Sequence, residues 1–319
     1  DCLILQHSHL GSQLPHIIEI RHAVREACNF YAALIKEGAP LGYLDIGGGL
    51  GVDYTGEHKS KQNSINYSLE EYCTNVIETI KFTLDEVDIA HPVVITESGR
   101  ACVAHSSMLI FNVLEVSRYD SSEPIFYKAG EDHELVSHIL EVLNYLSEDR
   151  LQECLNDLTY YQGELRVLFR RSQLTLRQIA RGENAFLYVL SKLKALAVLM
   201  EDLNEELQTA LDSMADIYHC NFSLFQSLPD VWAIDQVHPI TPLQRLNEHP
   251  TRYGTLSDIT CDSDGKIDRF VLADGVSNTL PLHPIKPNET YYLGVFFVGG
   301  RTAWSTGPTR SPYQKNVIG

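Results

Sequence analysis

Leu44-Asp45-Ile46-Gly47-Gly48-Gly49-Leu50-Gly51 is the stretch on which the fold turns. An apolar strand over residues 41–46 runs into consecutive glycines, which let backbone N–H groups converge without Cβ clashes and so can cradle a phosphate. A tight turn at a barrel edge accounts for the same residues. The spacing matches neither the GxGxxG of dinucleotide sites nor the GxxxxGK[ST] of a P-loop. Upstream, residues 3–5 read as a buried-type strand. Residues 16–36 read as a helix, with Ile17, Ile20, Val24, Ala27, Tyr31 and Leu34 three and four apart. Downstream, Ser68 reads as an N-cap with Glu71 three residues on, followed by Tyr72, Val76, Ile80 and Leu84 on one face. A third strand over 92–96 ends at Glu97. Strand, loop and helix therefore repeat, which predicts a parallel sheet or (β/α) barrel whose functional groups gather at its C-terminal edge.

Beyond residue 100 this rhythm stops. Residues 108–116 form an apolar, branched run suited to an antiparallel strand. From about 131 to 219 leucines recur at helical spacing and proline is absent, which predicts a helical hairpin or small bundle of core leucines. After 221, Val231-Trp232-Ala233-Ile234, residues 259–261, 270–273 and 291–298 read as short strands separated by turn signals such as Asp264-Gly265, Asp274-Gly275 and Pro287-Asn288. The expected fold class is thus α/β plus β: residues 1–100 from a parallel α/β unit, 101–127 opening a β domain, 128–219 a helical insertion, 220–300 the rest of the β domain. Residues 301–319 read as an unpatterned tail, disordered or aberrant.

The chain has 319 residues, 44% of them apolar, and a formal net charge of −17. That sign disfavours coating a nucleic-acid backbone and leaves a small-molecule substrate or a protein partner as the expected ligand. No apolar run reaches the ~20 residues of a membrane span, and no secretory leader pattern opens the chain. Seven scattered cysteines suit reduced thiols in the cytoplasm better than a disulfide framework. Both ends read as cut, since the chain opens inside the apolar run Cys2-Leu3-Ile4-Leu5.

Three further constellations carry chemistry. His9, in His7-Ser8-His9-Leu10-Gly11-Ser12-Gln13, follows the first strand; its imidazole can stack on a flat ring, act as a base or satisfy the loop. Two histidines two apart can also begin a metal site, but no acidic or cysteine partner lies nearby in sequence. In Glu97-Ser98-Gly99-Arg100 the carboxylate can pair with a protonated pyridine nitrogen and the guanidinium can fork onto phosphate; an ordinary surface ion pair explains the same four residues. Cys261-Asp262-Ser263-Asp264-Gly265 fails the calcium-loop pattern, because position twelve would be Val271. It is a turn, or a Cys–Asp pair serving a site on another element.

Taken in order, His9-Leu10-Gly11-Ser12-Gln13, Asp45-Ile46-Gly47-Gly48-Gly49, Glu97-Ser98-Gly99-Arg100 and Cys261-Asp262 resemble the barrel-type pyridoxal-phosphate (PLP) enzymes. Within that group residues 43–54, the helical insertion, Trp232-Ala233-Ile234-Asp235-Gln236 and Tyr292-Leu293-Gly294-Val295-Phe296-Phe297-Val298-Gly299 resemble the biosynthetic arginine decarboxylases of bacteria and plants, over roughly residues 1–299. The resemblance implies a partial PLP-binding (β/α)8 barrel followed by an antiparallel β domain that a helical insertion interrupts. It implies that His9 stacks on the ring, that Ser12, Gly47, Gly48, Gly49 and Arg100 hold the phosphate, and that Glu97 faces the ring nitrogen. Cys261 and Asp262 would reach across a dimer interface, the thiol toward the reacting carbon and the carboxylate toward the substrate's cationic end. The implied reaction converts L-arginine to agmatine and CO2 on the way to putrescine and spermidine, in a cytoplasmic homodimer or larger oligomer. Magnesium is the implied second cofactor, with unassigned ligands.

Two departures qualify this. The family's cofactor-bearing lysine sits on an early barrel strand, which would lie upstream of Asp1, and no lysine here occupies its motif. The family's Val-Gly-Ala-Tyr becomes Val298-Gly299-Gly300-Arg301, an abrupt loss of likeness expected of a truncated or mis-joined sequence. The isolated chain is therefore expected to be inactive. A related substrate, diaminopimelate or ornithine, and an inactive PLP-fold regulator that pairs with a decarboxylase are the alternatives.

Overall fold

A computed structural model describes residues 2–121, 123–200, 203–273 and 275–300. The expectations for Asp274 and for 301–319 lie outside the described residues. The chain divides into two compact units, the first comprising residues 1–115, 219–251 and 256–319, the second 116–218 and 252–255.

The first unit opens with β1 (Leu5–His7), α1 (Ile17–Lys36), β2 (Tyr43–Asp45), α2 (Leu69–Asp85), β3 (Val93–Ile95) and the short α3 (Gly99–Val103). The strands form a parallel sheet in the order β1-β2-β3. Helix α1 starts where His16 accepts the Ile18 amide, and α2 starts where Ser68 Oγ accepts the Glu71 amide at 3.1 Å. The helices bury the predicted faces, Ile20, Val24, Ala27 and Tyr31 against Tyr72, Val76, Ile80 and Leu84, over Leu44 and Ile46. Residues 3–5 depart from expectation. Only Leu5 lies in the strand, and Leu3, Ile4 and Leu5 are 49%, 52% and 36% exposed. Among the described residues, helices α1 and α2 cover one face of the sheet. Leu5, Tyr43 and Val93, paired in one row, are exposed on the other.

The chain leaves this unit within β4 (Leu109–Ser117). Helices α4 (Glu134–Glu141), α5 (Leu151–Arg170), α6 (Leu176–Ala197) and α7 (Glu205–Ser213) build the second unit. Of the apolar positions read at helical spacing, Ile139, Val142, Leu190, Leu193 and Leu207 are buried in its core, which Leu155, Leu158 and Leu165 complete. Thr175 and Gln178 close a reciprocal capping box on α6. Arg181 forks onto the buried carboxylate of Asp132 at 2.8 and 2.7 Å. The helical reading runs too far: β5 (Asp216–Cys220) is a strand with alternating burial, not the end of a helix.

Back in the first unit, α8 (Leu224–Ser227) and α9 (Pro229–Ile234) precede β6 (Ile240–Pro242); β7 (Arg252–Ser257) begins in the second unit and ends in the first, where β8 (Lys266–Ile267), β9 (Phe270–Leu272), β10 (Gly275–Ser277), β11 (Leu280–Leu282) and β12 (Tyr291–Val295) follow. The last four residues of α9 are the predicted strand Val231-Trp232-Ala233-Ile234. Pro229 enters at its first turn, where the missing N–H costs nothing, and Asp235 ends it in the left-handed conformation. Strand β12 lies antiparallel between β4 and β6, so that Leu293 pairs with both Phe111 and Pro242. Where the β domain was expected to open, residues 99–106 are helical instead, as α3 and a following 3-10 turn.

Candidate active site

The parallel register assembles the site. His7, Asp45 and Ile95 pair in one row, so the residues two further along, His9, Gly47 and Glu97, leave the C-terminal ends of three neighbouring strands together. Backbone bonds lock the row: Ser8 N donates to Asp45 O, and Glu97 N to Gly47 O, each at 2.9 Å. Beneath it, His7 Nδ1 lies 2.8 Å from Asp45 Oδ2, and Asp45 Oδ1 accepts the Gly47 amide at 2.9 Å. Burial pushes the Asp45 carboxyl upward, but the Gly47 amide and His7 outweigh it and hold the group below the usual carboxylate range.

The glycines are needed for reasons the structure makes specific. Gly47 has φ +66°, and a Cβ on it would lie 2.6 Å from Ser8 O. Gly49 has φ +110°, and its Cβ would meet Leu14 at 2.9 Å. Their amides are not equivalent. Gly47 N is committed to Asp45 and Gly48 N points at His9 Nδ1 (3.2 Å), whereas the Gly49 amide has no acceptor among the described residues. Ser12 is exposed on the neighbouring loop, which Gln13 anchors through both its amide atoms to Val52. His9 and Glu97 are half-exposed, with His9 Nδ1 3.9 Å from Glu97 Oε2. An open edge with an imidazole face, a carboxylate and an anion-seeking amide fits a flat, phosphorylated, protonatable ring.

Arg100 is held differently from the open fork read in the sequence. Its guanidinium is 10% exposed, donating from Nη1 to Tyr54 Oη (2.9 Å) and Gln236 Oε1 (3.4 Å), and from Nη2 to Asp230 Oδ2 (3.3 Å). Nε and one Nη2 hydrogen keep no acceptor among the described residues, so a phosphate can still be bound from one side. Asp230, Tyr54 and Gln236 are the partners of Arg100 that the sequence reading missed. The signal was present in Trp232–Gln236, but only as a family likeness.

His238 was also missed. It is 4% exposed, lies edge-on to the Tyr54 ring at 5.3 Å and donates from Nδ1 to Phe296 O, with Nε2 buried and unpartnered. Burial, seconded by Arg100, lowers its pKa to about 4. The unfolded chain therefore binds more protons than the folded one between about pH 6.5 and 4. Over that window stability falls with acidification by up to about 1.4 kcal/mol per pH unit. Asp45, Asp53 and Asp132, whose pKa values are lowered from 3.8, lose their contributions only at lower pH. His238→Asn is expected to flatten the pH 6.5–4 limb of the stability curve in urea titrations; an unchanged slope would show that His238 does not set it.

Cys261 and Asp262 are exposed at the tip of the β7–β8 loop. No hydrogen bond or ion pair among the described residues links them to His9, Glu97 or Arg100. The one group of histidine and carboxylate atoms within metal reach among the described residues is His7, Asp45 and Glu97, its ligand atoms within 4.8 Å of one another. A mixed nitrogen–oxygen set in which one carboxylate already accepts the Gly47 amide does not fit magnesium, which demands octahedral oxygen. No helix among the described residues is long and apolar enough to cross a membrane.

Comparison with known proteins bears on both units. Residues 3–104 match the pyridoxal-binding domain of the pyridoxal-dependent decarboxylases, and residues 129–212 match the arginine decarboxylase helical bundle domain. The chain is 44% identical over 300 residues to the biosynthetic arginine decarboxylase of Phocaeicola vulgatus, covering 94% of this chain and 48% of that protein. It is 43% identical over 299 residues to that of Thermosynechococcus vestitus, covering 94% and 47%. The crystal structure of the Campylobacter jejuni biosynthetic arginine decarboxylase superposes with a TM-score of 0.72 at 32% identity, over 93% of this chain and 48% of that one. The chain thus spans about half the length of the curated relatives it matches.

Proposed function

The chain belongs to the biosynthetic arginine decarboxylase family, and from that premise we propose that the protein releases CO2 from L-arginine to give agmatine, with PLP as cofactor. The observation that carries the reading is the row of His9, Gly47 and Glu97 at three adjacent strand ends. The parallel sheet is then part of a PLP-binding (β/α)8 barrel, and the antiparallel strands belong to the domain that follows it. Bound PLP supplies an electron-poor ring that accepts the electrons of the breaking bond to the carboxylate. Glu97 holds the proton on the ring nitrogen, and His9 packs against the ring face. The Gly49 amide, Ser12 Oγ and the free side of Arg100 hold the phosphate, the Gly47–Gly48 turn shaping the loop around it.

Cys261 and Asp262 serve the site of a second copy. Their lack of bonds to the local site supports this, and so does their exposure. The thiol lies near the reacting carbon, where a proton must return to Cα. The carboxylate takes the guanidinium end of the substrate. Agmatine leads toward putrescine and spermidine, and the seven free thiols suit the reducing cytoplasm. Magnesium has no assigned ligands here, and no step passes through it.

The test is release of labelled CO2 by the full-length protein, supplied with PLP and magnesium, from arginine, ornithine and diaminopimelate. Release from arginine well above the other two is expected. No release from arginine would overturn the assignment.

A further inference from the structure

Asp258 closes the base of the loop that carries Cys261 and Asp262. It is 7% exposed. Its Oδ2 accepts the Leu224 amide at the start of α8 (2.7 Å), its Oδ1 accepts Thr260 Oγ1 (2.8 Å), and its own amide donates to Gly265 O (2.7 Å). The Ile259 amide adds a bond to Phe222 O at 3.1 Å. Gly265 fits so closely that a Cβ on it would lie 2.0 Å from Asp258 Oδ1.

From this buried base the order propagates outward. The carbonyl of Asp262 accepts the Gly265 amide (3.2 Å), and its carboxylate Oδ1 accepts the Asp264 amide (3.0 Å). Oδ2 has no partner among the described residues and belongs to an exposed side chain. Residues 261–264 are exposed in succession, while Asp258 and Gly265 beneath them are buried. A solvent-facing loop tip of this kind ordinarily loses little by moving. Here a carboxylate at its base collects an amide from another element and a hydroxyl from the loop itself, so the tip is fixed relative to α8.

We propose that Asp258, acting with Thr260, is a positioning residue that presents the Cys261 thiol and the free oxygen of Asp262 together, in one orientation, to the reacting substrate. This rests on the reading of Cys261 and Asp262 given under the proposed function. Asp258 touches neither substrate nor cofactor; it acts through the loop. Because two groups with different duties depend on one anchor, losing the anchor damages both substrate binding and turnover.

The test uses the full-length holoprotein. Asp258→Ala is expected to raise KM for arginine and lower kcat together, reducing kcat/KM on the order of 100-fold, with cofactor absorbance unchanged. Asp258→Asn, which keeps an acceptor for Leu224, is expected to recover to within about tenfold of wild type. In an Asp262→Ala background the Asp258 change should lose its effect on KM while keeping the effect on kcat that acts through Cys261, a coupling that a merely structural role would not give. Thr260→Val serves as a milder variant if Asp258→Ala fails to fold, with the same joint effect on KM and kcat expected. Amide exchange across residues 222–228 and 257–266 gives a readout independent of activity and should quicken in Asp258→Ala or Thr260→Val. Unchanged kinetics, fully additive losses, or unchanged exchange would overturn the proposal. A wild-type protein inert toward arginine would instead overturn the decarboxylase reading, leaving amide exchange to judge the anchoring of the loop.

Discussion

Asp230→Ala is expected to lower folding stability by roughly 3–5 kcal/mol, the range for removing one partner of a buried ion pair. Asp230 is 6% exposed, and the guanidinium it faces is nearly enclosed. Alanine would leave that cation in a low-dielectric setting with only the neutral acceptors Tyr54 and Gln236. Those two contacts place the expected loss toward the lower end of the range. The loss should also spread, because α9 is stitched to the 53–64 segment. Gln62 Nε2 donates to Ile234 O at 2.8 Å, and Asn63 Oδ1 accepts the Val237 amide at 3.2 Å. Asp230→Asn keeps an acceptor and should cost less. Removing both charges, Asp230→Leu with Arg100→Met, should recover much of the loss, since the penalty lies in the stranded charge. Urea unfolding of the variants checks this, and a loss below about 1 kcal/mol for Asp230→Ala would mean that the pair is better solvated than its burial implies.

That network also shows where sequence reading stops. The row at the strand ends was legible because each of its parts is local: an apolar run, then a glycine turn or an acidic stop. Parallel pairing then brings equivalent positions side by side. Arg100 and Asp230 lie 130 residues apart, and nothing near either announces the other. Arg100 therefore reads as a free fork until packing encloses it. The short run Val231-Trp232-Ala233-Ile234 is compatible with strand or helix, since four apolar residues hold barely one helical turn. Pro229 ahead of it and the left-handed Asp235 behind it decide for α9. Asp216–Cys220 failed for the opposite reason: helical leucines upstream carried the reading past a strand of five residues. The orphaned His238 Nε2 has no sequence signal at all.

The glycine turn yields the second large effect, and the chain supplies its own control. Gly47 and Gly56 both sit in the left-handed region, at φ +66° and +72°. Alanine at either costs about 1–2 kcal/mol for the backbone conformation. At Gly56 nothing lies within 4 Å of the added Cβ, so the conformational cost is the whole cost. At Gly47 the Cβ would sit 2.6 Å from Ser8 O and 3.0 Å from the Cα of His9, both backbone atoms of the neighbouring strand end. No rotamer relieves such a contact. Relief requires the β1 and β2 ends to part, which strains the Ser8–Asp45 and Glu97–Gly47 bonds that hold the row in register. Gly47→Ala is therefore expected to lose several times the stability lost by Gly56→Ala. In the full-length protein it should also lose PLP affinity and turnover on the order of 100-fold, because His9 and Glu97 would be displaced together. Gly56→Ala should bind PLP and turn over like the parent. Equal losses in the two variants would show that φ alone matters at Gly47, and that the close approach of β1 to β2 does not shape the site.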